Sequence, residues 1–93
     1  MAAMIAAPEL VGSREEALEL LSGLPLNLSD QMVVVSFDLN RSTRPSFVDE
    51  LVKEILVVRC AKELNLRGVS ETVHHYAQRS ATSRQVDRRL TFS

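Results

Sequence analysis

Ninety-three residues leave room for one domain and one core, and a chain that is 45% apolar and 25% charged has ordinary globular composition. No tryptophan and a single tyrosine make the core aliphatic and leave little for base stacking, and a net charge of −1 speaks against a dedicated nucleic-acid binder. Cys60 is the only cysteine, which excludes an intramolecular disulfide, and no run approaches the roughly 18 apolar residues of a membrane span, so a cytoplasmic protein with no membrane segment is expected.

Residues 1–8 are alanine-rich and end in Pro8; they offer an edge strand through Met4-Ile5-Ala6, since proline removes a ladder donor there. Ser13-Arg14-Glu15-Glu16 is a capping box that starts a first helix, with Ala17, Leu18 and Leu21 as its apolar stripe. Gly23 and Pro25 mark its end, Gly23 as the residue after the C-cap. After a link over 24–30, Gln31–Phe37 is apolar on both alternating faces apart from Ser36. That pattern predicts a central strand with helices on either side.

A polar loop, Asp38 to Pro45, then leads into a second helix from about Ser46 to Cys60. Phe47, Val48, Leu51, Val52, Ile55, Leu56 and Val58 cover most of its circumference, so it should be the most buried helix. Its β-branched residues lower helix propensity, and tertiary packing must hold it. Glu63–Val69 reads as a second strand, and Ser70 caps a third helix from Glu71 to about Ser80. Residues 81–93 form a polar, basic, mobile tail, although Leu90-Thr91-Phe92 is apolar enough to add a strand.

The fold class is therefore α/β: a short, mainly parallel sheet of two secure strands and one or two edge strands, with three helices, as a single domain over 1–80 followed by a tail. A sheet of two strands is marginal alone. Either the N-terminal strand or a homodimer completes it. Charge is uneven, since residues 1–54 hold nine acids and four bases (−5) and residues 55–93 three acids and seven bases (+4); that suits self-association or a charged partner, and the simpler reading is a solvated acidic helix with a basic tail.

The chemistry concentrates where the central strand gives way to the second helix, the carboxyl end at which open α/β sheets hold their ligands and partners. The candidate partner-binding residues are Asp38, Asn40, Arg41, Ser42, Thr43, Arg44, Ser46, Asp49 and Glu50. No catalytic, metal or cofactor site is expected. His74 and His75 point about 100° apart on a helix and share no ligand face. Cys60 falls late in an apolar helix, where a thiol packs as a small hydrophobe. Asp38 has no partner carboxylate in sequence, and Gly12, Gly23 and Gly68 are too scattered for a phosphate loop. Arg79, Arg84, Arg88 and Arg89 carry the alternative reading, a small nucleic-acid-associated protein using its basic end.

Three strings in this order, Ser13-Arg14-Glu15-Glu16-Ala17, Val33-Val34-Val35-Ser36-Phe37 and Pro45-Ser46-Phe47-Val48-Asp49-Glu50-Leu51, resemble the STAS-like domain family, related to the STAS domains of anti-sigma factor antagonists. The resemblance spans roughly Leu10 to Tyr76. It implies a non-enzymatic regulatory module that binds a protein partner, in antagonists a kinase-like ATPase, and is released when a serine at the helix start is phosphorylated. By position that serine is Ser46. Helix physics allows a phosphate there, and Arg41 and Arg44 are placed to pair with it. The simpler role for Ser46 is an N-cap, with Asp49 completing its box.

Overall fold

The computed structural model describes residues 2–93. Four parallel strands, β1 (Ala2–Ala6), β3 (Met32–Ser36), β5 (Glu63–Arg67) and β6 (Leu90–Phe92), form one sheet in the order β1-β3-β5-β6. Two short strands, β2 (Leu10–Val11) and β4 (Ser42–Thr43), pair in parallel beyond the end of that sheet. Three helices connect the strands: α1 (Arg14–Leu21), α2 (Pro45–Val52) and α3 (Glu71–Ser83). From its last turn α2 runs on as a π-helix, Lys53–Val58, and a 3₁₀ turn, Asp87–Arg89, leads into β6.

The caps behave as local chemistry requires. The Ser13 hydroxyl accepts from the Glu16 amide at 3.1 Å, and Glu16 reaches back to the Gly12 amide, also at 3.1 Å. Ser70 accepts from the Val73 amide at 3.2 Å. Gly23 is not the left-handed residue expected after α1; in that conformation stand Gly68, Cys60 and Gln85. Cys60 follows the π-helix at φ 55° and is exposed, so it is a terminator rather than the packed helical residue expected.

The helices all lie on one face, which corrects the expectation of helices on either side of the central strand. The physical reason is the strand order. Each crossover steps to the next strand in the same direction, and right-handed crossovers that never reverse direction put every helix on the same side. Toward the helices point Ile5, Val33, Val35, Leu64, Leu66 and Leu90, which meet Phe47, Val48, Leu51, Val52, Ile55 and Leu56 of the central helix in the core. Phe37 and Phe47 close its top edge to face at 6.5 Å. Val34 points the other way. It is buried because Met4 and Asn65 flank it in register, not because a helix covers it.

The C-terminal stretch expected as a mobile tail is ordered. α3 continues to Ser83, Val86 and Leu90 join the core, and β6 pairs with β5 through Leu64–Leu90, Asn65–Thr91 and Leu66–Phe92. Arginines make this possible. Arg84 pairs with Asp49 at 2.9 Å, and Arg89 donates to the carbonyls of Leu56 and Ala61 at the end of the π-helix. Arg59 does the same for α1. It is buried, and its guanidinium donates to the carbonyls of Leu21 (2.9 Å) and Leu24 (3.1 Å), where the helix dipole favours a cation.

Candidate functional site

At the carboxyl end of the sheet two loops are bound into one platform. Asn40 is its centre. Its side-chain amide donates to the carbonyl of Pro8 at 2.7 Å and to that of Ser42 at 3.2 Å, and its carbonyl accepts from the Thr43 hydroxyl at 2.6 Å. The Glu9 carbonyl accepts from the amides of Arg41 and Ser42, and β2 pairs with β4. The β1–α1 loop and the β3–α2 loop therefore move as a unit. Asn40, Thr43 and the backbone of Ser42 shape this platform, and the side-chain polar atoms of Asn40 and Thr43 are spent inside it.

Asp38 supports the same end from the other side. Its carboxylate accepts from the Ser36 hydroxyl at 3.0 Å and lies against Gly68. Gly68 has φ 67°, and a Cβ there would sit 2.1 Å from the Asp38 Oδ1, so glycine is required both by conformation and by space. The β5–α3 turn is thus set against the β3–α2 loop, and between them opens a cleft of ≈ 460 Å³ lined by Phe37, Asn40, Arg41, Thr43, Gly68 and Ser70. A second hollow, ≈ 650 Å³, lies toward Pro8, Asp38 and Leu39.

The start of α2 differs from expectation. The helix begins at Pro45 with Arg44 as N-cap and no side-chain cap, so Ser46 is its second residue and not the cap. Proline removes the first orphan donor and fixes φ, which is why no cap is needed. The Ser46 hydroxyl instead donates to the Gly12 carbonyl at 3.1 Å, tying α2 to the entry of α1. Arg44 lies across Gly12, within 3.2 Å of where a Cβ would stand, and makes no ion pair among the described residues.

Asp49 and Glu50 do not join the platform. They lie a turn further along α2 and bind the helices to each other. Asp49 takes Arg14 of α1 at 2.9 Å, the Ser80 hydroxyl of α3 at 2.6 Å and Arg84 at 2.9 Å. Burial acts to raise the Asp49 carboxyl, but the hydrogen bonds from Ser80, Arg14 and Arg84 together outweigh it and hold the group at about 2. Arg14 is raised in turn by its bonds to Asp49 and Glu50. Glu50 is buried and takes Arg14 at 3.1 Å and Lys53 at 3.0 Å. A shallow groove of ≈ 250 Å³ between α2 and α3 runs past Pro45, Asp49, Tyr76 and Arg79.

Sequence reasoning missed the apolar part of the platform. Leu39 is 79% exposed and Leu10 66%, on the same two loops as Arg41, which pairs with Glu9 at 3.2 Å, and Arg44, both also exposed. The signal was a leucine inside an otherwise polar turn, at Asp38-Leu39-Asn40. Comparison with protein-family models, with curated proteins and with solved structures returned no match.

Proposed function

We propose that the protein is a non-enzymatic, regulatory interaction module of STAS-like type that captures a protein partner on the carboxyl-end platform. The observation that carries this reading is that two exposed leucines, Leu10 and Leu39, and two exposed arginines, Arg41 and Arg44, sit on the two loops that Asn40 ties together. An apolar anchor rimmed by arginine is the composition of interface hot spots, and a rigid platform loses little entropy on binding.

Ser46 gives the module a switch. Phosphorylation would replace the hydroxyl that donates to Gly12 with a dianion at the amino end of α2, next to Arg44. The nearest acids on α2 are already paired, Asp49 with Arg14 and Arg84 and Glu50 with Arg14 and Lys53. The Arg-rich end favours the alternative less, since Arg84 and Arg89 are engaged within the fold.

The test is affinity capture with wild type, Leu39→Asp, Arg41→Glu/Arg44→Glu and Ser46→Asp, with hydrogen exchange on the recovered complex. The expected result is one partner protecting residues 37–46, lost with each variant while the melting temperature stays within a few degrees. A partner retained by Leu39→Asp and by the arginine pair would end the reading. Retention by Ser46→Asp alone would remove the switch and leave the platform.

A further inference from the structure

The sheet has a bare face. All four strands are parallel, and every helix lies on one side. Purely parallel sheets occur almost only with both faces covered. On the bare face the register sets out three rows. The middle row is Met4, Val34, Asn65 and Thr91; one outer row holds Met32 and Glu63, the other Ala6, Ser36 and Arg67.

The rows carry two patterns at once. Across the strands the face divides into a mainly apolar half on β1 and β3 (Met4, Ala6, Met32 and Val34, with Ser36 polar at the carboxyl end) and a polar half on β5 and β6 (Glu63, Asn65, Arg67, Thr91). Along β5 the charge reverses, from Glu63 at the amino end to Arg67 at the carboxyl end. Met4 is 65% exposed, and Arg67 is exposed with no ion pair among the described residues. Neither side chain has a task inside the protomer, whereas Glu63 is half-buried and accepts from the Thr91 hydroxyl at 2.8 Å through one carboxylate oxygen, with the other left to meet a cation.

We infer that this face is covered by the same face of a second copy of the chain, the two related by a two-fold axis that lies between the sheets, at right angles to the strands, through the Met4–Val34–Asn65–Thr91 row. The pattern selects this axis. A two-fold along the strands would lay the apolar half of one copy on the polar half of the other. A two-fold across them keeps β1 and β3 over their own counterparts with direction reversed. It also brings Glu63 of each copy opposite Arg67 of the other, twice over, as an isologous interface requires. Sheets so stacked sit about 10 Å apart, with strands within about 30° of alignment.

The area sets the strength. Four strands about 4.8 Å apart and five residues of about 3.3 Å rise give a footprint of about 300 Å² per copy, below the roughly 800 Å² of a standard interface. The pair is therefore weak and concentration-dependent. The carboxyl-end platforms fall at opposite ends of it, and both stay free for a partner.

Sedimentation equilibrium of the 93-residue chain from about 10 μM to 1 mM tests the proposal, with Met4→Lys, Arg67→Glu and the exchange Glu63→Arg/Arg67→Glu, each first shown folded by circular dichroism. The expected result is a monomer–dimer equilibrium within that range. Met4→Lys and Arg67→Glu should each weaken it about tenfold or more, and the exchange should bring it back to within about threefold of wild type relative to Arg67→Glu. Restoration by the exchange is an outcome that a merely structural role for either residue would not produce. A monomer throughout overturns the proposal, as does a dimer indifferent to Met4→Lys and Arg67→Glu, or an exchange no better than Arg67→Glu alone.

Discussion

Replacing Asp49 with asparagine isolates the charge that binds the three helices together. Asparagine keeps the size of the side chain and an oxygen for the Ser80 hydroxyl, and loses the ion pairs to Arg14 and Arg84. A carboxyl held at about 2 instead of 3.8 corresponds to about 2 kcal/mol of preference for the charged form. The Arg14 side chain is 51% exposed, so part of that is screened by water. The expected loss at pH 7 is about 1–2 kcal/mol, or about 5–15 °C in melting temperature for a domain of this size.

The pH dependence follows from the direction of the shift. The folded value is depressed, so the unfolded chain takes up the proton first as pH falls. The contribution is complete above about pH 5 and disappears as pH falls from there through about 2. Urea titrations of wild type and Asp49→Asn at intervals from pH 7 to pH 2.5 should therefore give curves that converge in acid. A loss under about 0.5 kcal/mol at pH 7 would refute the reasoning. So would a loss that persists undiminished at pH 2.5, since it would then owe nothing to the charge.

Arg59→Met should cost about 2–4 kcal/mol in the same urea assay, because the carbonyls of Leu21 and Leu24 and the carboxylate of Glu54 lose their buried partner. Gly68→Ala should cost about 1–3 kcal/mol from the left-handed backbone and the collision with Asp38, and combining it with Asp38→Ala should cost less than the two separate losses added, as a double-mutant cycle will read. Cys60→Gly should raise stability by about 0.5–1 kcal/mol, since glycine takes a φ of 55° freely, with the gain visible as a higher melting temperature.

How much of this was legible in the chain divides along range. The starts of α1 and α3 were readable because Ser13 and Ser70 bond to amides three residues on, an interaction complete within one turn. The cap of α2 was misplaced by two residues, Ser46 for Arg44, because serine and proline are both good openers, and the adjacent Gly12 carbonyl that claims the Ser46 hydroxyl is distant in sequence. Asp49 and Glu50 looked like part of the loop because they follow it in the chain. A helix turns them toward Arg14, Arg84 and Lys53. The arginines at 84 and 89 looked like a solvated tail, and only the docking of β6 shows them closing helix ends and crossing to Asp49.

By itself, then, the sequence determined the element types: apolar runs of strand length, stripes of helical period and side chains that cap their own turns. These depend on neighbours a few residues apart, and the right-handed, parallel βαβ link follows from chirality alone. Tertiary structure decided which side the helices occupy and which face stays bare. Val34 is buried between Met4 and Asn65, and in a linear string that looks the same as burial beneath a helix. The order of strands, a property of the whole sheet, separates the two. It set every crossover in one direction, brought the β1–α1 and β3–α2 loops together at one end, and left Met4, Glu63 and Arg67 on the face away from the helices.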